Sequence, residues 1–158
     1  MRKINNSNDA IKTGFSAIDV VTGGLKPSEV MVIGGQGRTG KTSLALSIAK
    51  NVAVDGKIPC AFFSLEMSNV KLVNRLISSV CHIDGDEILN GQLNHDEWEK
   101  LDEHFSCLLG SPLYIDDKSG LTIDELWDRM HKLSSEHGVK LFIIDKLQLI
   151  DCSKHNHW

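Results

Sequence analysis

Short apolar runs alternate along this chain with segments in which apolar residues recur at helical spacing. Four runs have the length and composition of buried strands, at residues 29–34, 59–64, 113–115 and 141–144. The order of strands and helices predicts an α/β fold with a mostly parallel sheet flanked by helices. The helical stripes are Leu44/Ala45/Ile48/Ala49/Val52, Val73/Leu76/Ile77/Val80, Trp98/Leu101/Phe105/Leu108 and Ile123/Leu126/Met130/Leu133.

Polar residues mark where some of these elements begin and end. Asn94 with Glu97, and Thr122 with Glu125, have the spacing of capping boxes, and Gly138 is expected to end the last helix. Residues 13–27 alternate turn residues with single apolar anchors, which predicts an ordered loop that wraps onto the core. Residues 1–10 are polar and predict a flexible linker, and residues 151–158 predict a disordered tail.

Composition narrows the class of protein without naming a function. The 158 residues are enough for one domain. A stand-alone nucleic-acid-binding protein usually has a strongly basic surface, and the net charge of −4 does not indicate one here. Neither a signal peptide nor a long apolar run is present, so we expect a cytoplasmic protein without membrane contact. The four cysteines are widely spaced, which favours reduced thiols, and we expect three of them to fill the core.

A glycine-rich segment between the first apolar run and the first helix carries the strongest chemical signal. Residues 35–42 fit the phosphate-loop pattern G-x-x-x-x-G-K-[ST], which by chance should arise in well under ~1% of chains of this length. Its backbone N–H groups and Lys41 would bind the phosphates of ATP, and the Thr42 hydroxyl would hold Mg²⁺. The predicted binding residues are Gly35, Gln36, Gly37, Arg38, Thr39, Gly40, Lys41, Thr42 and Ser43.

Two acidic residues lie where other predicted strands end, which is the edge at which a parallel α/β sheet binds its ligand. Asp145 follows the run 141–144 and could support Mg²⁺, although an Asp at this place could also simply begin a turn. Glu66 follows the run 59–64 and could activate the attacking water. Taken alone, Glu66 could equally be a partner for the dipole of the next helix.

These motifs together resemble the motor domain of the DnaB-type replicative DNA helicases, from about residue 11 to residue 150. The matching runs are Thr13-Gly14-Phe15 with Asp19, Thr22-Gly23-Gly24-Leu25, Gly40-Lys41-Thr42, Phe63-Ser64-Leu65-Glu66-Met67, Tyr114-Ile115-Asp116-Asp117, and Ile144-Asp145 with Leu147-Gln148-Leu149-Ile150. The resemblance implies a RecA-like ATPase that assembles as a hexameric ring and unwinds DNA with ATP. It assigns Lys41 and Thr42 to the nucleotide and Mg²⁺, Glu66 to water activation and Asp145 to the metal.

The sequence departs from the family pattern at two places. Lys146 stands where the family usually has tyrosine, and where many related ATPases have glutamate, so Glu66 is the natural supplier of the base. Family members also continue past residue 150 with a sensor strand, DNA-contacting loops and an arginine finger. We therefore expect a C-terminally truncated domain at residues 11–150, marginally stable and slow in hydrolysis. Single-stranded DNA would bind only in a complete ring.

Three functions remain open at this point. The chain could be part of a helicase motor, working as a homo-oligomer or together with a full-length helicase. It could be a nucleotide-binding regulatory module without productive hydrolysis. It could also be another RecA-like ATPase, although the Ser64-Leu65-Glu66-Met67 run argues against that. The tail residues Cys152, His155 and His157 are too few for a metal site, and a frayed terminus is expected there.

Overall fold

A computed structural model describes residues 9–152 of the chain. Helices and strands alternate through most of it, as the apolar pattern predicts. The elements are α1 (Ser16–Thr22), α2 (Lys41–Lys50) continued by a π-helical turn (Asn51–Asp55), β1 (Cys60–Ser64), α3 (Asn69–Cys81), α4 (Gly85–Asn90), α5 (His95–Leu109), β2 (Leu113–Asp116), α6 (Ile123–His137), β3 (Leu141–Asp145) and a 3-10 turn (Leu147–Leu149).

The three strands form one parallel sheet in the order β2, β1, β3. Cys60 pairs with Leu113 on one side and with Leu141 on the other, and Ser64 pairs with Asp145. All five residues of β1 are buried, which explains why its sequence is a continuous apolar run rather than an alternating one. The predicted parallel α/β sheet is confirmed.

Side chains of β1 point alternately to two separate cores. Cys60 and Phe62 pack with the apolar faces of α2 and α3 on one side of the sheet. Ala61 and Phe63 pack on the other side with Leu126 of α6. The two fully buried Phe rings therefore hold both helical layers onto the same strand.

The helical stripes are confirmed in outline, with two differences in the face that is buried. The capping boxes at Asn94 and Thr122 both form, and Gly138 ends α6 in the left-handed conformation. In α3, Leu76 and Ile77 are buried as predicted, but Leu72 and Cys81 are buried where Val73 and Val80 were expected, so the buried face is wider than the predicted stripe. In α5, Trp98 remains 54% exposed, because only part of the predicted stripe reaches α3 and α4.

The segment predicted as a loop at residues 13–27 contains the short helix α1, so that prediction was wrong for its central part. Thr13 donates hydrogen bonds from its N–H and its hydroxyl to Asp19 Oδ1, at 2.8 and 3.0 Å. Partial burial alone would raise the pKa of Asp19, but the hydrogen bonds from Thr13 and Gly14 outweigh it and hold that pKa below its usual value. Asn51, just after α2, donates to the Thr13 carbonyl and fixes this segment against the helix.

Gly14 is expected to tolerate no side chain. Its φ is +81°, and a Cβ there would lie 2.4 Å from Asn51 Nδ2 and 2.8 Å from Asn51 Cβ. Gly120 has a similar φ of +66° but open space around it. We expect Gly14→Ala to destabilise the fold by about 2–4 kcal/mol, from strain plus overlap, and Gly120→Ala by about 1 kcal/mol from strain alone. Urea unfolding of both variants measures the difference, and equal losses would contradict it.

Residues 29–34, predicted as the strand that leads into the phosphate loop, form no regular structure. Val30 is 90% exposed and Val32 is 81% exposed, while Ile33 still packs against the core around α2. A strand needs a neighbour to pair its backbone groups. Within residues 9–152, β3 pairs with β1 alone and not with residues 29–34, so this segment has no strand partner there. Most of this apolar segment is therefore exposed, and of its residues Ile33 packs against the core.

The four cysteines are divided between the core and the surface. Cys60 and Cys81 are buried and Cys107 and Cys152 are exposed, all four as free thiols, so two rather than three cysteines fill the core. Burial raises the pKa of the Cys60 thiol to about 12.

No helix within residues 9–152 is both long and apolar enough to cross a membrane. Most of the predicted linker (1–10) and tail (151–158) lies outside the described residues.

Candidate nucleotide-binding site

The glycine-rich loop lies on the surface immediately before α2. Residues 34–40 are exposed, and at Gly37 and Gly40 no atom from beyond the adjacent residues lies within 4 Å of the position that a Cβ would take. Arg38 and Gly40 have φ values of +60° and +87°, which curl the backbone ahead of the helix. The Lys41 ammonium donates to the Gln36 carbonyl, so it lies folded over the loop. An open curved backbone with a lysine above it suits a polyphosphate.

The start of α2 offers free backbone donors. Gly40 is the N-cap and has no side chain to accept from the first turn, so the leading N–H groups of the helix have no side-chain cap. The helix dipole adds partial positive charge at the same place. Thr42, in this first turn, is half-buried and carries a hydroxyl that can coordinate a cation.

The packing of α2 shows where this helix start lies relative to the sheet. The helix packs against β1 and β3, and residues 56–59 connect its far end to the beginning of β1. A helix followed by so short a connection runs antiparallel to the next strand. The glycine-rich loop is therefore directed toward the carboxyl ends of β1 and β3, where Glu66 and Asp145 lie.

Asp145, the last residue of β3, has an unusual environment. Its main-chain carbonyl accepts a 2.8 Å hydrogen bond from Leu65 N–H, which extends the β1–β3 pairing. Its Oδ2 is buried and has no hydrogen-bond partner among the described residues. A buried carboxylate oxygen without a partner is costly unless a cation or water meets it. With the Thr42 hydroxyl it provides the oxygen donors that Mg²⁺ prefers, so these residues fit that ion.

Glu66 projects from a tight turn that follows β1. The buried Ser64 hydroxyl accepts from Met67 N–H at 3.2 Å and donates to the Met67 carbonyl at 2.7 Å, which fixes the turn around Glu66. The Glu66 carboxylate lies 3.1 Å from Lys146 Nζ, measured to Oε2. Because Ser64 and Asp145 are register partners, this ion pair bridges the two strands just beyond their last pairing.

The other acidic residues of the strand ends have structural partners. Asp116, at the end of β2, forms an ion pair with Arg129 of α6. Asp117 accepts a 2.7 Å hydrogen bond from Asn69 N–H and so caps α3 from another part of the chain. Sequence analysis missed both contacts, since the partners lie 13 and 48 residues apart and no local pattern reveals them. No group of three or more metal-ligating side chains occurs among the described residues.

The sequence of this chain matches a known protein family. Residues 10–157 match the model of the DnaB-like helicase C terminal domain, which is almost the whole chain. The chain belongs to the DnaB-like helicase C-terminal domain family. A separate RecA-like ATPase family, which the sequence left open, is thereby set aside.

Curated relatives of this DnaB-like domain are replicative helicases by name. The replicative DNA helicase DnaB of Nostoc sp. strain PCC 7120 is 36% identical over 143 residues, covering 89% of this chain and 16% of that protein. The replicative DNA helicase DnaC of Bacillus subtilis strain 168 is 35% identical over 143 residues, covering 90% and 32%. The DnaB-like chain therefore spans a third or less of the length of these relatives.

Solved structures have the same fold as the DnaB-like chain. The ATPase domain of G40P superposes with a TM-score of 0.85 at 27% identity, covering 96% of this chain and 55% of that one. A DnaB-like replicative helicase, described with its primase interactions, gives the same TM-score and identity and covers 94% and 36%. The prediction of a RecA-like helicase ATPase fold is confirmed.

Proposed function

We propose that this chain binds ATP with Mg²⁺ at residues 35–43 and forms the hydrolytic part of a replicative DNA helicase motor. The observation that carries the proposal is the open phosphate loop directed toward the strand end where Asp145 has an unpartnered buried oxygen. Membership of the DnaB-like domain family and the names of its relatives support the same reaction.

Each site residue has a distinct role in this proposal. Lys41 and the first N–H groups of α2 bind the phosphates, and Thr42 with Asp145 holds Mg²⁺. The ion, when bound, neutralises charge on the phosphate oxygens. Glu66 accepts the proton of the attacking water, since it follows β1 at the same edge of the sheet where the neighbouring strand β3 ends in Asp145. Lys41 contributes further by stabilising negative charge as the terminal phosphate departs.

The assembly and the DNA substrate belong to the same proposal. The longer relatives are named replicative DNA helicases. The proposal therefore includes the hexameric ring and the single-stranded DNA binding that the resemblance to this family implies. A net charge of −4 agrees with DNA contacts that depend on a complete ring rather than on one subunit. We extend the proposal to co-assembly with a full-length helicase and to a cytoplasmic location.

The proposal is tested by measuring nucleotide binding, turnover and assembly in the same preparation. A fluorescent ATP analogue should bind in the presence of Mg²⁺ and more weakly with EDTA. ATP turnover should rise when single-stranded DNA is added, and sedimentation with ATP and Mg²⁺ should show a higher oligomer. Absence of nucleotide binding would overturn the proposed site.

One observation favours a second candidate, a nucleotide-binding regulatory module. Among residues 9–152, the segment that leads into the phosphate loop, residues 29–34, pairs with no strand and exposes Val30 and Val32, so no strand of that part holds the loop in place. Precise placement of reacting groups matters more for hydrolysis than for binding. Tight nucleotide binding with no turnover, with or without DNA, would favour this candidate over the motor.

A further inference from the structure

The environment of Glu66 shows how its carboxylate is held. Among the described residues, Lys146 is its one polar partner, at 3.1 Å, and the Glu66 side chain is otherwise 53% exposed. The backbone of the turn is fixed by Ser64 and Met67, but those contacts do not reach the carboxylate. A glutamate with three rotatable bonds and so much exposure adopts many conformations unless a partner selects one.

Lys146 contacts only one of the two carboxylate oxygens of Glu66. Lys146 Nζ meets Oε2, so Oε1 remains free to accept a hydrogen bond from a water molecule. The lysine itself is anchored at the end of β3 by the pairing of Ser64 with Asp145 and by the hydrogen bond from Leu65 to the Asp145 carbonyl. The ion pair therefore connects the proposed base to the strand that carries the proposed metal ligand.

We propose that Lys146 is a positioning residue that orients Glu66 for water activation by binding Oε2 and leaving Oε1 free. This inference rests on the proposed hydrolysis of ATP. Loss of the ammonium would leave the phosphate loop and its nucleotide contacts unchanged, but it would let the Glu66 carboxylate leave the productive orientation. Lys146 would then affect turnover and leave nucleotide affinity unaffected.

The matched control is Lys118, which pairs with Glu125 at 3.4 Å. Lys118 and Glu125 are 50% and 45% exposed, close to the 44% and 53% of Lys146 and Glu66. Both substitutions, Lys146→Met and Lys118→Met, remove one positive charge and one half-exposed ion pair. Any difference between them is therefore specific to the position of Lys146.

The test compares the full chain with Lys146→Met, Lys146→Arg, Lys118→Met, Glu66→Gln and the Lys146→Met/Glu66→Gln double variant. We expect Lys146→Met to lower kcat about two- to fivefold, with KM and the affinity for a fluorescent ATP analogue unchanged within about twofold. Lys146→Arg should turn over ATP at the parental rate, and so should Lys118→Met. The Lys146→Met/Glu66→Gln double variant should turn over ATP at the rate of Glu66→Gln alone.

A second measurement does not depend on turnover. In urea unfolding of the nucleotide-free chain, Lys146→Met should have a lower midpoint than the parent. The double variant should have the same midpoint as Glu66→Gln alone. An unchanged or raised kcat in Lys146→Met would overturn the positioning role, and so would independent effects of Lys146→Met and Glu66→Gln. Either result would leave the proposed hydrolysis standing. If the parent chain and every variant hydrolyse ATP no faster than Lys41→Ala, the proposed hydrolysis is overturned and the positioning role with it.

Discussion

Replacing Lys41 by alanine is expected to weaken ATP binding by about 10²–10⁴-fold and to remove hydrolysis. The ammonium lies over the open loop, where its contact is with the Gln36 carbonyl, and it would transfer to the phosphates when ATP binds. Two charge-assisted hydrogen bonds at about 1.5–3 kcal/mol each account for a loss of this size. Titration with a fluorescent ATP analogue, followed by a phosphate-release assay, measures both effects.

Lys71 provides the control for this substitution. It is exposed in the first turn of α3 and lies outside residues 35–43, so Lys71→Ala removes an equal charge from the surface without changing the loop itself. Lys71→Ala should bind ATP as the parent does. If Lys41→Ala and Lys71→Ala bound the nucleotide equally well, residues 35–43 would not be the phosphate site.

Glu66→Gln is expected to retain ATP binding within about threefold and to lower hydrolysis by about 10²–10⁴-fold. Glutamine preserves the size of the side chain but cannot accept the proton of the attacking water, and a positioned general base contributes a factor of this order. Single-turnover hydrolysis and nucleotide affinity, measured on the same preparation, separate the chemical step from binding.

Glu99→Gln is the matched variant for this second prediction. Glu99 is a surface glutamate of α5 that lies 3.4 Å from His95 and is 71% exposed. Its amide variant should hydrolyse ATP at the parental rate. Equal rates for Glu66→Gln and the parent would remove Glu66 from the mechanism, and the water would then need another base.

Features encoded by local sequence were predicted well. Helix α2 after the glycine-rich loop, both capping boxes and the buried run of β1 each depend on residues close together in the chain, so their patterns are visible without a structure. Asp145 and Glu66 were also predicted at strand ends, because the end of an apolar run is a local signal. Their proposed roles remain predictions.

Features that depend on distant partners could not be predicted in the same way. The apolar run at residues 29–34 looks like a buried strand, yet burial depends on a neighbouring strand that no local pattern supplies. Helix α4 was missed because its six residues are too few to show a helical period. The pairing of Glu66 with Lys146 joins residues 80 positions apart, and only the register of β1 with β3 brings them together.

The central place of β1 has a consequence for how the chain folds during synthesis. Its partners begin about 50 and about 80 residues later, at Leu113 and Leu141, so most sheet contacts are far apart in sequence. At about 5–20 residues per second, a ribosome needs about 4–16 s to make the segment between β1 and β3. For most of that interval Phe63 lacks α6, the helix that covers its face of the sheet, and nascent-chain chaperones would have their clearest target there.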